Sequence, residues 1–305
     1  MPTWFELLIL RLCPTNGNHE MTASLPPRPE PVPRAVPGVA RPSQLHGLGH
    51  ASRILIQPHF SPFKPFVDRE NRTVVMLNPK VGTWTLRDGL ARGVCKFRGW
   101  SDSSQGRYRL LSNARNFPCA SLRDYWHAIS HANEYAFYAF VRNPYARVRS
   151  AWLDKLAFGH TTGYPRSARR RVIGSLRRLA RRRGLSGGAP ASAVPFSTFL
   201  SYIEAEPAGR RDHHWDEQHA VLLMDDLRYT RVFHLETQFR EGLTEISARI
   251  GFPSAWVDEL VTSRRNESTK HAEPVFDSDL ARRTHAIYAR DFAELGYGED
   301  SWRGL

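Results

Sequence analysis

Cysteine is scarce in this chain. Cys13, Cys95 and Cys119 stand far apart, with no Cys-x-x-Cys spacing. An odd count without a cluster excludes a disulfide framework and a cysteine zinc site, and it favours a reducing compartment. Long apolar runs are also missing. Trp4 to Cys13 is interrupted by Glu6 and Arg11 and is about ten residues long, whereas a membrane-crossing helix needs roughly 20. It has no basic n-region and no clear small-residue cleavage site, so it reads as a weak interfacial helix at most. The expected location is cytoplasmic, with loose membrane association as the upper limit. No acidic cluster with metal-ligand spacing is recognisable, and the expectation is that no metal is used.

Acidic residues are outnumbered, with 30 Asp and Glu against 43 Lys and Arg, a formal net charge of +13 in 305 residues. The excess is almost all arginine and favours anionic partners such as nucleotides, acidic glycans or nucleic acid. A nucleic-acid module would need aromatic interleaving or a recognisable signature, and neither is present. Nucleic acid is therefore not an expected partner.

Two parts are readable in outline. Residues 1–50 hold Pro26, Pro27, Pro29, Pro31, Pro33, Pro37 and Pro42, which exclude a helix or a central strand. They read as a disordered or extended leader. Residues 51–305 read as one α/β domain with a basic helical insert near 160–195. Strands are expected at Arg72 to Leu77, Tyr135 to Val141 and Arg231 to Leu235. Helices are expected at Thr85 to Gly93, from a Ser121 cap to Ser130, from Pro144 to about Phe158, and at Phe196 to Glu204. A further helix is expected from a Thr237 cap to Gly251, and a last one uses Leu280, Ile287, Tyr288 and Phe292. The seven apolar residues Tyr135 to Val141 suit a strand covered on both faces. Alternation of strands and helices implies a mostly parallel sheet with helices on both faces.

Two of these strands end in loops with the chemistry of an anion site. The first is Asn78-Pro-Lys-Val-Gly-Thr-Trp-Thr85. A helix N-terminus offers free N–H groups to a phosphate. Gly82 lets the backbone come close, Lys80 adds a mobile charge, and Thr83 and Thr85 carry hydroxyls. The second is Arg142-Asn-Pro-Tyr-Ala-Arg-Val-Arg-Ser150. Arg142 at a strand end can fork onto a phosphate, and Ser150 two turns later can add a hydroxyl. A P-loop would place lysine after the glycine, whereas Lys80 precedes Gly82. The segment Ala220 to Asp226 looks like a Walker B strand, but without its matching loop it reads as coincidence or as a helix.

Together these segments resemble the sulfotransferases that use 3′-phosphoadenylyl sulfate (PAPS), most closely the carbohydrate sulfotransferase family 2 group. The likeness includes Asp212-His-His-Trp-Asp-Glu-Gln218, Val232 to Thr237, Arg265 to Ser268 and Asp291 to Tyr297, in the family's order from about residue 70 to 297. It implies a P-loop-like fold, PAPS as co-substrate and no metal. The donor would be bound by Lys80, Val81, Gly82, Thr83, Trp84 and Thr85 at its 5′ end, and by Arg142 and Ser150 at its 3′-phosphate. A soluble, bacterial-type member is the better comparison. Three departures stand out: Trp84 in place of a small or hydroxyl residue, Asn143 in place of Asp with an expected weakening of a local cap, and Glu217 in place of Pro.

The resemblance implies in-line transfer of a sulfuryl group to an acceptor hydroxyl, with a carbohydrate preferred and anionic acceptors included. Lys80 suits stabilisation of the leaving oxygen. His214 is the first choice of base, with His131, His213, Glu217 and Asp212 as alternatives. A non-catalytic anion- or nucleic-acid-binding protein on the same scaffold, or an ATP-dependent phosphotransferase, are the competing readings.

Overall fold

A computed structural model describes residues 54, 57, 65–97, 122–157, 173–174, 194–262 and 275–305. The expected leader over 1–50, the Ser121 cap, residues Arg265 to Ser268 and nearly all of the basic insert lie outside the described residues. The strands are β1 (Phe66–Asp68) and β2 (Thr73–Met76). The helix α1 (Thr83–Phe97) follows β2, and α2 (Leu122–Ser130) precedes β3 (Ala136–Val141). Next come α3 (Pro144–Trp152), α4 (Phe196–Glu204), the short α5 (Gln218–Val221) and β4 (Arg231–His234). The chain closes with α6 (Phe239–Ile250), α7 (Ser254–Thr262), α8 (Ser278–Ile287) and α9 (Ala289–Leu295).

The sheet order is β1-β2-β3-β4. β2, β3 and β4 are parallel, with Thr73 opposite Ala136 and Tyr138 opposite Arg231. The short β1 pairs antiparallel with β2 at the edge. It was not expected from sequence, because three residues carry too little period to read.

Side chains alternate across the sheet as strand geometry requires. Val75, Tyr138, Phe140 and Phe233 pack on one face against Leu86 and Leu90 of α1, Leu243 and Ile246 of α6, and Trp256 of α7. Val74, Met76, Phe137, Ala139 and Val141 pack on the other against Tyr125 and Ile129 of α2 and Leu222 to Leu227. The expectation of a mostly parallel α/β sheet with helices on both faces therefore holds. Gly242 marks the tightest approach of α6 to the sheet, since a Cβ there would lie 2.6 Å from Phe140 and 2.8 Å from Phe233. A third cluster joins α3, α4, α8 and α9 around Tyr145, Phe199, Trp215 and Phe292.

Three local readings need correction. The helix from Pro144 is α-helical only to Trp152, and Leu153–Ala157 forms a π-helical turn. The N-cap of α6 is Gln238 rather than Thr237, and its side chain makes no capping bond; the helix does end at Gly251, with φ 75°. The last amphipathic segment is two helices divided at Tyr288. Asn143 still caps α3: its Oδ1 accepts from the Tyr145 and Ala146 amides at 2.9 and 3.4 Å, and its Nδ2 donates to the Ser301 carbonyl. Ala220 to Asp226 is the end of α5 and the turns after it, not a Walker B strand. Among the described residues no helix is long and apolar enough to cross a membrane.

Candidate active site

In a parallel α/β sheet, ligands sit beyond the carboxyl ends of the strands. Both phosphate-type loops leave the sheet there, one after β2 and one after β3. The first loop is bent by two left-handed residues in three positions, Lys80 at φ 68° and Gly82 at φ 61°. Left-handed backbone is easy for glycine but costs a lysine about 1–2 kcal/mol, a strain that persists only where neighbouring contacts hold it. Val81 is fully buried and anchors the loop to the sheet core. The Thr83 hydroxyl donates to the Asn78 carbonyl, so its proton is used inside the loop. Thr85 is buried, whereas Trp84 is 59% exposed with the Arg87 guanidinium 5.5 Å over its ring.

The second loop reaches the first directly. Arg142 Nη1 donates to the Lys80 carbonyl at 3.1 Å. Gln218, wholly buried, holds both loops: its Oε1 accepts from Asn78 Nδ2 and from the Arg142 amide, each at 2.9 Å, and its Nε2 donates to the Arg142 carbonyl at 2.8 Å. Asp291 in turn accepts from the Gln218 and His219 amides at 2.8 and 3.0 Å. Burial raises the Asp291 carboxyl above the usual range despite these bonds. Ser150 lies buried on α3, two turns beyond Arg142.

Arg147 ties a third segment to these two. Its guanidinium is almost completely buried. It donates to the carbonyls of Pro79 at 3.1 Å, of Asp216, and of His213 at 3.0 Å. The histidine loop is rigid for a separate reason. Trp215 is fully buried with its ring edge-on to Phe199 at 5.4 Å, and its carbonyl accepts from Tyr288 Oη at 2.6 Å.

His214 Nδ1 faces Asp212 Oδ1 at 2.6 Å, and the His214 amide donates to the same oxygen at 2.9 Å. Burial pulls the His214 pKa below 6.5, Asp212 opposes this, and the charges of Lys155 and Lys80 add to the lowering. Burial alone would raise the Asp212 carboxyl, but its bonds to His214 and the nearby His213 hold it well below the usual range. The imidazole is therefore neutral at neutral pH. With Nδ1–H toward Asp212, its lone pair sits on Nε2.

Lys80 Nζ donates to Asp154 Oδ2 at 3.0 Å, and Lys155 Nζ reaches the same oxygen at 2.7 Å. Burial lowers the Lys80 pKa against the pull of Asp154, with Lys155 and Arg142 lowering it further.

The other base candidates separate by position. His131 precedes β3, at the end of the sheet opposite the two loops, and stacks on His127 at 4.4 Å. A six-residue strand of about 20 Å divides it from the site. His213 is more exposed than His214, with its ring 4.2 Å from that of His214. Glu217 is partly buried, and burial together with Asp291 and Asp216 pushes its carboxyl up to about 7. Asp212, His213 and His214 also bring three potential metal-ligand atoms within 4.8 Å of one another. The 2.6 Å hydrogen bond already joins two of the three, and two ammonium groups close to His214 oppose a further cation there.

Sequence reasoning gave no role to Arg147, Gln218, Asp291, Asp154 or Lys155. Arg147 and Gln218 lay inside quoted motifs, yet all of Arg147's bonds and two of Gln218's go to backbone groups, which no residue pattern announces. Asp154 and Lys155 follow one turn after Ser150, within the π-turn, where Asp154 meets both Lys80 and Lys155.

A model of the sulfotransferase family matches residues 91–298. The match contains Arg142, Ser150 and the His214 loop and opens inside α1, just downstream of Lys80. No curated protein and no solved structure shows significant similarity to the chain. The matched segment covers more than half of the sequence and includes β3, β4, the second loop and the histidine loop, and the chain belongs to the sulfotransferase family.

Proposed function

We propose that the protein transfers a sulfuryl group from PAPS to an acceptor hydroxyl, with a carbohydrate as the acceptor class. One observation carries this reading: the Arg142 guanidinium bonds to the Lys80 carbonyl, so a cation for each end of a doubly phosphorylated nucleotide belongs to one connected site. The residues fit such a ligand. A left-handed glycine and a partly buried lysine stand before the helix opening at Thr83. Among the described residues the Arg142 guanidinium bonds to the Lys80 carbonyl through Nη1, and a guanidinium carries five N–H donors in all.

In this reading Lys80, Gly82 and the first turn of α1, with Val81, Thr83, Trp84 and Thr85, form the 5′-phosphosulfate cradle. Arg142 and Ser150 take the 3′-phosphate. The acceptor oxygen bonds to sulfur as the bond from sulfur to the bridging phosphate oxygen breaks. The Lys80 ammonium neutralises charge on that leaving oxygen. The acceptor proton goes to His214 Nε2, and Asp212 steadies the imidazolium that forms. The competing phosphotransferase reading loses its acidic strand, because Ala220 to Asp226 is not one.

Two measurements test the reading. Calorimetry with 3′,5′-bisphosphoadenosine should show binding by the wild type, weakened in Arg142→Ala. Transfer of labelled sulfate from PAPS to a glycan panel should fall by about 10²–10³-fold in Lys80→Ala. Binding of ATP with magnesium in place of the bisphosphate would overturn it.

A further inference from the structure

Asp154 and Lys155 belong to no role assigned above, yet they sit at the reacting end of the site. One carboxylate oxygen, Asp154 Oδ2, accepts from two ammonium groups, Lys80 at 3.0 Å and Lys155 at 2.7 Å. The Lys155 side chain is only 8% exposed and that of Lys80 only 15%. A buried and a partly buried cation about a single carboxylate form a costly arrangement, since each is withdrawn from water and must be neutralised in place.

A second feature lies at the same residues. The helix that starts beside Arg142 changes to a π-helical turn at Leu153–Ala157. Such a turn re-aims the side chains that follow and is frequent at functional sites. The chain therefore interrupts a regular helix at the two residues that meet Lys80.

Resting on the donor assignment above, we propose that Asp154 is a positioning residue that holds the Lys80 ammonium in reserve until an anionic donor arrives, with Lys155 as the resident counter-ion that neutralises Asp154 once Lys80 turns to the leaving oxygen. Without Lys155, the movement of Lys80 would leave an unpaired carboxylate beside an incoming anion, and release would be resisted. Without Asp154, the two ammonium groups would lose the carboxylate they share, and an incoming anion would be favoured. The two substitutions therefore act in opposite directions, whereas loss of a merely structural ion pair would move both the same way.

The test uses the full chain and two readouts. The first is acetylation of Lys80 in the unliganded protein at pH 8, followed by peptide mass spectrometry. Asp154→Asn should speed it, because Asp154 favours the ammonium form. Lys155→Met should slow it, because Lys155 disfavours that form. The second is calorimetric binding of 3′,5′-bisphosphoadenosine. Asp154→Asn should tighten it and Lys155→Met weaken it, each by roughly three- to fivefold. Lys155→Arg should restore wild-type behaviour in both. Shifts in the same direction, or none in variants that fold, overturn the proposal while leaving the donor assignment intact. Absence of bisphosphate binding by the wild type overturns the donor assignment, and release triggered by the donor falls with it.

Discussion

The two loops of the site are built by opposite means. The loop after β2 is shaped by its backbone: left-handed Lys80 and Gly82, a Thr83 hydroxyl turned inward onto Asn78, and a helix that opens at once. The loop after β3 is shaped by side chains: Asn143 caps α3, Gln218 bonds both backbone groups of Arg142, and Arg147 runs beneath to three carbonyls. A backbone-built loop brings N–H groups close to an anion, but it needs support against its own strain. A side-chain-built loop is rigid and supplies that support. Arg147 gives it most directly, because its Nε holds the carbonyl of Pro79, the residue before the strained lysine.

This comparison breaks most sharply at Arg147. Arg147→Ala removes a buried cation from three carbonyls and leaves the charges of Asp216 and Asp291 without it. The expected loss is about 3–5 kcal/mol of stability. Bisphosphate binding should fall as well, although Arg147 is not proposed to touch the ligand. Thermal denaturation and calorimetry check both effects, and a melting temperature within about two degrees of wild type would show that the first loop stands unsupported.

Gly82→Ala probes the other construction. Space is not the obstacle, since the added Cβ would lie 3.4 Å from Leu235. The cost is conformational, about 1–2 kcal/mol for an L-residue held left-handed. The first loop should relax toward ordinary backbone and lose donor affinity, with the sheet and the second loop unchanged by hydrogen exchange. Unaltered affinity would mean that the backbone bend does not matter to binding.

A finer cut falls at Asn143. Asn143→Asp keeps the two capping acceptances and gains a favourable charge at the start of α3. It loses the donor to Ser301, and it sets a carboxylate close to Glu236, which accepts from its amide at 2.9 Å. The net change in urea denaturation should stay within about 0.5 kcal/mol. A large loss would mean that the amide, rather than the cap, is what the second loop needs.

The same contrast explains what could be read from the sequence. Tyr135 to Val141 announced a central strand, because seven apolar residues in a row suit no half-exposed element. The helix at Phe196–Glu204 appeared at its expected limits. The backbone-built loop was legible too, since glycine, proline and helix-opening residues are local signals. The side-chain-built loop was legible only in its outer residues. Arg147 bonds to the carbonyls of Pro79, His213 and Asp216, groups that every residue carries. The π-turn at 153–157 leaves no mark either, because the apolar spacing of Leu153 and Leu156 suits an ordinary helix equally well.

The acid limb of the rate profile identifies the base. The His214 pKa lies below 6.5 because burial disfavours the imidazolium, and Asp212 pulls it partly back. If neutral His214 takes the acceptor proton, activity is present above that pKa and is lost as pH falls through it. Asp212→Asn keeps an oxygen that can accept from Nδ1–H and removes the charge. The pull upward disappears, the His214 pKa falls further, and the acid limb of the kcat/KM profile moves to lower pH. The rate above that limb falls as well, because asparagine no longer steadies the imidazolium that forms as the acceptor proton arrives. Should Asp212 itself be the base, the same substitution would abolish activity across the whole range. Should the base be Glu217, with its carboxyl pushed up to about 7, the acid limb would lie near neutrality and stay in place.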